Sequence, residues 1–276
     1  MICPRCALLL LTLTSANPSC KTLASEPNQE PQGTQRAHLK LQFLFDGPIP
    51  ERSKIEGTRD RFCAECEILS ESLIVNEKRQ IQNMVMYLDS RRTKMELPDF
   101  PQRKPVKHVL EARNCRFVPH ILNIMVGDTI VEKNSDEVGH NANIHLFNNP
   151  ASGILIPTGR DREHTVRSAE PAPTPVECNI HPWMKAYVIV LDHPYVGISN
   201  EHGVIEIRDL PVGKIIFKLW HEHSVKSMDS GELNGKSASW PKGRIEVDLK
   251  PGMNDLGKIS FKAEKFKPTN EAKEKP

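Results

Sequence analysis

Residues 38–47, HLKLQFLFDG, place an apolar side chain at every second position and end in Asp-Gly. That is a half-buried strand running into a turn. The pattern recurs in IQNMVMYLDS (81–90) and in HVLEARNCRFVPHILNIMVGDTIVEKNSD (108–136), where Pro119 and the VGDT turn divide three expected strands. It returns near HTVRS (164–168), in YVIVLDHPYVGIS (187–199), and in four further strands across 198–224 and 243–264. Between them 22 prolines and 15 glycines punctuate 276 residues, and no heptad or exact repeat appears. So many short strands and so few long periodic runs predict an all-β chain, most simply a β-sandwich with Greek-key connections.

Charge is nearly balanced, at a formal +2. With no aromatic-spaced basic patch, no nucleic-acid partner is expected. Residues 1–25 carry Arg5, an apolar run over 7–14 and small residues beyond it, the pattern of a secretory signal peptide. Cys20 invites a lipid-anchor reading, but NPSC lacks the flanking residues for one. No other segment is long and apolar enough to span a bilayer, so the protein is expected to be exported, periplasmic or extracellular, and not integral to a membrane once the signal is removed. Residues 26–37 read as a flexible leader.

Seven cysteines are present. Removal of Cys3, Cys6 and Cys20 with the leader would leave Cys63, Cys66, Cys115 and Cys178. An export route favours one disulfide, and Cys63–Cys115 is expected over Cys63–Cys66. The C-x-x-C of FCAEC lacks both a second such pair and the βαβ setting of a redox motif.

The stretch VECNIHPWMKAYVIV (176–190) sets Cys178, His181 and Met184 at three-residue steps ahead of an apolar strand. Buried Cys and Met are also ordinary core residues. As a donor set, though, thiolate, imidazole and thioether suit copper better than zinc, since two imidazoles and a thiolate form a plane with a weak axial methionine. A second histidine is needed. NSDEVGHNANIHLF supplies His140 and His145 as candidates, and His145 reads more simply as a hydrogen-bonded strand residue. His120 has the same bland reading. His221 and His223, two apart, would share one strand face but lack a third ligand.

The run CRFVPHILNIMVGDTIVEKNSDEVGHN resembles the cupredoxin, or type 1 blue copper, family, with its G-D-T, N-x-D and His-Asn signatures, and CNIHPWM resembles the short ligand loop of amicyanins. The resemblance spans about 109–192 and implies one type 1 copper held by His140, Cys178, His181 and Met184. It implies that Asn141 ties the histidine loop to the cysteine loop, and that the exposed edge of His181 is the electron port. Trp183 and Pro182 are expected to form a partner-facing rim. Glu132 departs from the pattern, since the family often has an aromatic residue there. More broadly, the chain is similar to exported bacterial cupredoxins called methylamine-utilisation proteins, and residues 196–222 resemble a carboxypeptidase regulatory-like module.

The expected organisation is an N-terminal β-segment (38–107), a cupredoxin domain (108–195), a small β-sandwich-like module (196–262) and a disordered polar tail (263–276). Whether the strands in 38–47 and 81–90 join the cupredoxin or the module stays open. Phosphate-cradling loops, G-x-S-x-G and His-rich catalytic metal motifs are absent, so no enzyme is expected. The expected function is single-electron transport between a redox donor and acceptor. The alternatives are an extracellular binding or scaffold module with a secondary copper site, or a copper storage or delivery protein.

Overall fold

In this computed structural model residues 35–55, 60–98, 100 and 103–266 are described. The expected signal peptide, the leader up to residue 34 and residues 267–276 lie outside them.

The chain is all-β, as its periodicity predicts, and its strands build two sandwiches. In the first, one sheet runs Asp161–Thr165, Thr129–Asn134, Lys107–Arg113, Arg116–Val118, and the other Ile121–Met125, Lys185–Leu191, Thr174–Glu177, Asn143–Ile144. Between them lie Leu110, Phe117, Ile124, Ile130, Val176 and Val188, with Cys178 and Met184 at one end. Four strands, not three, occupy 107–134. Arg113 and Arg116 pair across a two-residue turn in which Asn114 and Cys115 have φ of 52° and 53°. Positive φ at both central residues is the tight hairpin geometry usually signalled by Asn-Gly. Asn-Cys hides that signal, and Asp136 holds the turn by accepting both its N–H groups.

The second sandwich answers the question left open by the sequence. Arg36–Asp46 lies between Val204–Pro211 and Gly252–Lys262, antiparallel to one and parallel to the other. Val85–Leu88 lies between Val196–Ile198 and Gly213–Trp220. Both early segments therefore belong to the C-terminal module, and Leu39, Leu41, Phe43 and Phe45 fill its core with Phe217, Ile259 and Phe261. Gly203 (φ +67°) closes the turn into Val204–Pro211, where a Cβ would stand 2.5 Å from the Phe43 carbonyl oxygen.

Two expectations need correction here. Residues 263–266 are not a loose tail. Phe266 is 3% exposed and packs on Phe45 and His221, because the core needs its ring. His221 and His223 do not share a strand face. The strand ends at Trp220, the chain turns as Ser224 N–H reaches the His221 carbonyl, and the buried His221 ring accepts from the His223 N–H. Burial holds the His221 pKa down, to about 3.

A third cluster joins the sandwiches. Along Lys185–Leu191, Ala186, Val188 and Val190 face the first core, while Ile189 and Leu191 meet Val85 and Ile121. Tyr187 and Trp220 meet edge-on at 4.8 Å. Beside them His120 contacts Glu222, with Glu71 at 3.8 Å from its other nitrogen. His145 stays outside, paired with Glu177 at 3.1 Å. Among the described residues no helix is long and apolar enough to cross a membrane.

Asp128, from the G-D-T turn, anchors one end of the first sandwich. Its carboxylate accepts from the Val106 and Met125 N–H groups and pairs with Arg103 at 2.7 Å and His108 at 2.9 Å. Burial alone would raise its pKa, but these partners hold it below the ordinary carboxylate value. A depressed folded pKa stabilises fully above the unfolded value, about 3.9, and loses that contribution as pH falls through the folded one. Asp128→Asn is expected to cost roughly 2 kcal/mol at neutral pH and to flatten the acid limb of stability, as read from urea unfolding between pH 7 and pH 2. An unchanged acid limb would contradict this anchoring role.

Candidate metal centre

The loop 178–184 closes a hairpin between Thr174–Glu177 and Lys185–Leu191, which pair directly. The Cys178 N–H bonds to the Met184 carbonyl at 3.2 Å, and the Met184 N–H to that of His181 at 2.9 Å, so the loop is tightly curled. His140 comes from a separate short strand, His140–Asn141, paired with Leu155–Ile156.

These elements bring three predicted residues together. One ligand atom from each of His140, Cys178 and His181 lies within 4.8 Å of the others, and all three residues are buried. The two Nδ1 atoms are 2.9 Å apart, and His181 Nδ1 is 3.7 Å from Cys178 Sγ. Two nitrogens bound about 2 Å from one ion stand roughly 3 Å apart, so the spacing fits a shared metal. Met184 is buried in the same cluster. The donor set of thiolate, two imidazoles and thioether fits copper.

Asn141 has the position that the resemblance implies. Its side-chain carbonyl accepts from the Asn179 N–H at 2.9 Å and lies 3.5 Å from Cys178 Sγ, while its amide reaches the Gly153 carbonyl. Beyond it, the sequence reading missed Asp136. Its carboxylate takes His140 Nε2 at 2.9 Å, as well as the Asn114 and Cys115 N–H groups. This fixes the His140 ring with Nδ1 facing the thiol. The N-x-D spacing was the available signal, since Asn134 in turn accepts the Asp136 N–H.

Burial alone would lower the His140 pKa, but the Asp136 carboxylate and the Cys178 thiolate lift it to about 9. Burial would raise that of Cys178, yet hydrogen bonds from His140 and His181 bring it down to about 5. In the metal-free site the Cys178 thiolate and a protonated His140 thus stabilise each other, and a bound metal would take the place of that proton.

One implied feature is corrected. His181 is only 2% exposed, so its outer edge is not an open port. Trp183 lies against its ring at 5.1 Å and is half-buried, its indole N–H donating to the Cys115 carbonyl at 3.2 Å. Pro182 alone of that expected rim is exposed. The outer nitrogen, Nε2, faces Asp60 at 3.8 Å. Asp60 caps the short helix Arg61–Glu65, which is fastened by the Cys63–Cys115 disulfide. Asp60 and this helix therefore cover the site.

Glu132, the departure noted above, is fully buried. It accepts the Ser152 hydroxyl and lies 3.0 Å from His164 Nδ1, so a polar pair replaces an aromatic ring there.

No protein-family model matches the chain, and no curated protein does. Among solved structures, a copper-containing nitrite reductase from Thermus scotoductus aligns at 20% identity over 36% of this chain, with TM-score 0.28, and the match spans 25% of its own length. An oxidised amicyanin variant aligns at 22% identity over 30% of this chain and 79% of its own, with TM-score 0.27. A purple cupredoxin from Nitrosopumilus maritimus aligns at 24% identity over 31% and 98%, with TM-score 0.26. Scores this low leave the site's own geometry to carry the functional conclusion.

Asp136→Asn is expected to weaken metal binding by about 10–100-fold with the fold retained, as measured by chelator competition beside circular dichroism. Equal affinity would show that the carboxylate does not position His140.

Proposed function

We propose that this chain is an exported type 1 copper protein that carries single electrons between redox partners. The observation that carries this reading is the convergence of Cys178 Sγ with the Nδ1 atoms of His140 and His181 in a buried pocket, with Met184 beside them. Copper held by such a set cycles between Cu(I) and Cu(II). Cys178, His140 and His181 would hold the copper, with Met184 beside them as a weak thioether donor. Asn141 and Asp136 hold the ligands still, so little rearrangement opposes electron transfer.

The loop resembles that of amicyanins, and the chain as a whole resembles the exported bacterial methylamine-utilisation cupredoxins. The Cys63–Cys115 disulfide suits an oxidising compartment outside the cytoplasm. Buried donor residues from four positions, under a cover, suit a carrier, and we read the chain as one. Its partners would be a redox donor and acceptor, not nucleic acid.

The covered His181 favours one second reading, a copper-holding or delivery protein, because a shut site suits retention as well as it suits electron transfer.

Addition of Cu(II) to the mature protein is expected to give an intense visible thiolate-to-copper band that disappears in Cys178→Ala. Reversible voltammetry of the loaded protein supports the carrier. Tight copper binding without the band would sink the type 1 assignment, and a band without reversible cycling would favour holding or delivery.

A further inference from the structure

The C-x-x-C of FCAEC remains unexplained by the metal centre, and the structure places it at the cover. Cys63 is bonded to Cys115, while Cys66 keeps a free, half-buried thiol that donates to the Phe62 carbonyl at 3.4 Å. The Cys66 N–H bonds to the Cys63 carbonyl at 3.1 Å, which closes one helical turn between them. Residues three apart in such a turn have Cα atoms about 5 Å apart, within disulfide range. Burial, with the Asp136 charge adding to it, pushes the Cys66 thiol up. At its other end the disulfide reaches the metal centre. Cys115, Asp136 and His140 each offer a ligand atom within 4.8 Å of the others, and the Cys115 carbonyl holds the Trp183 indole against His181.

We propose that Cys63, Cys66 and Cys115 form a thiol–disulfide exchange site that fastens and releases the cover over the metal centre. In the exchange, the Cys66 thiol gives its proton to solvent and its thiolate attacks Cys63 Sγ. A Cys63–Cys66 bond forms, the Cys63–Cys115 bond breaks, and the electron pair leaves on Cys115 Sγ, which takes up a proton. One disulfide and one thiol stand on each side of the exchange, so no outside oxidant or reductant is needed. The product keeps the helix Arg61–Glu65 closed on itself but cuts its only covalent tie to the turn at Asn114–Cys115. Asp60 and the helix can then move away from His181, and the hold on Trp183 loosens. The copper reading supplies what the cover guards, but exchange itself needs no metal.

The test therefore uses the full metal-free chain. Because the Cys66 thiol titrates above the ordinary value, protein is held at about pH 9.5, where its thiolate forms, then quenched with acid, alkylated and mapped by mass spectrometry. A population with Cys63 linked to Cys66 and Cys115 alkylated is expected, and it should be absent from Cys66→Ala. In a second arm, alkylation of the buried Cys178 under native conditions reports on the cover. It should be about tenfold faster in Cys115→Ala than in Cys66→Ala, with circular dichroism spectra alike. Recovery of Cys63–Cys115 alone from the wild-type chain at alkaline pH would overturn the exchange. Equally slow Cys178 alkylation in a natively folded Cys115→Ala would overturn its link to the cover. If Cys115→Ala does not fold, the exchanged wild-type population decides the second point by its own Cys178 label. Failure of copper to give a visible band would leave both arms readable.

Discussion

One carboxylate holds the functional end of this protein together. Asp136 accepts from His140 Nε2 and from the two N–H groups of the Asn114–Cys115 turn. A buried carboxylate is costly unless it is fully bonded, and here each bond serves a different element. The first orients the His140 ring. The other two stabilise a backbone conformation that Cys115 would adopt only at a cost. That turn in turn presents Cys115 to Cys63 and its carbonyl to Trp183. The metal centre, the disulfide and the cover thus share one electrostatic anchor.

The rest of the molecule depends on a different kind of constraint. Each sandwich fills its own core, and the strand Lys185–Leu191 serves both by facing the first core with alternate residues and the joining cluster with the others. The strand that closes the ligand loop therefore also positions the second sandwich. At the same junction His120 lies between carboxylates from two other parts of the chain, Glu71 and Glu222. Burial alone would lower its pKa, but the carboxylates raise it.

Much of this was legible in the sequence, and the pattern of what was not is physical. Period-2 alternation found the long strands because one face of each is buried and the other wet. The convergence of His140, Cys178 and His181 was legible because donor chemistry restricts the identity of such residues as well as their spacing. The hairpin at Asn114–Cys115 was not, since its positive φ values are imposed by Asp136 and not by glycine. The burial of His181 was not, because it depends on Asp60 and Cys63, which lie more than a hundred residues upstream and show no periodic signal. Phe266 was missed for a related reason. A lone aromatic in a charged stretch carries no pattern, yet its ring packs on Phe45, from the first strand of the same core.

The place of Arg36–Asp46 has a consequence for how such a chain is made. Its parallel neighbour Gly252–Lys262 lies far along the sequence, and the His38 carbonyl accepts from Asn254 across a separation of 216 residues. The whole first sandwich, with its ligand loop, is threaded between those two strands. A ribosome or export channel delivers the chain from its N-terminus, so the earliest strand must wait, unpaired on one edge, until almost all the rest has emerged. The first sandwich needs no such delay, because its own strands are all in hand by Leu191. The order of synthesis therefore lets the first sandwich, with His140, Cys178 and His181, assemble first and closes the second one last.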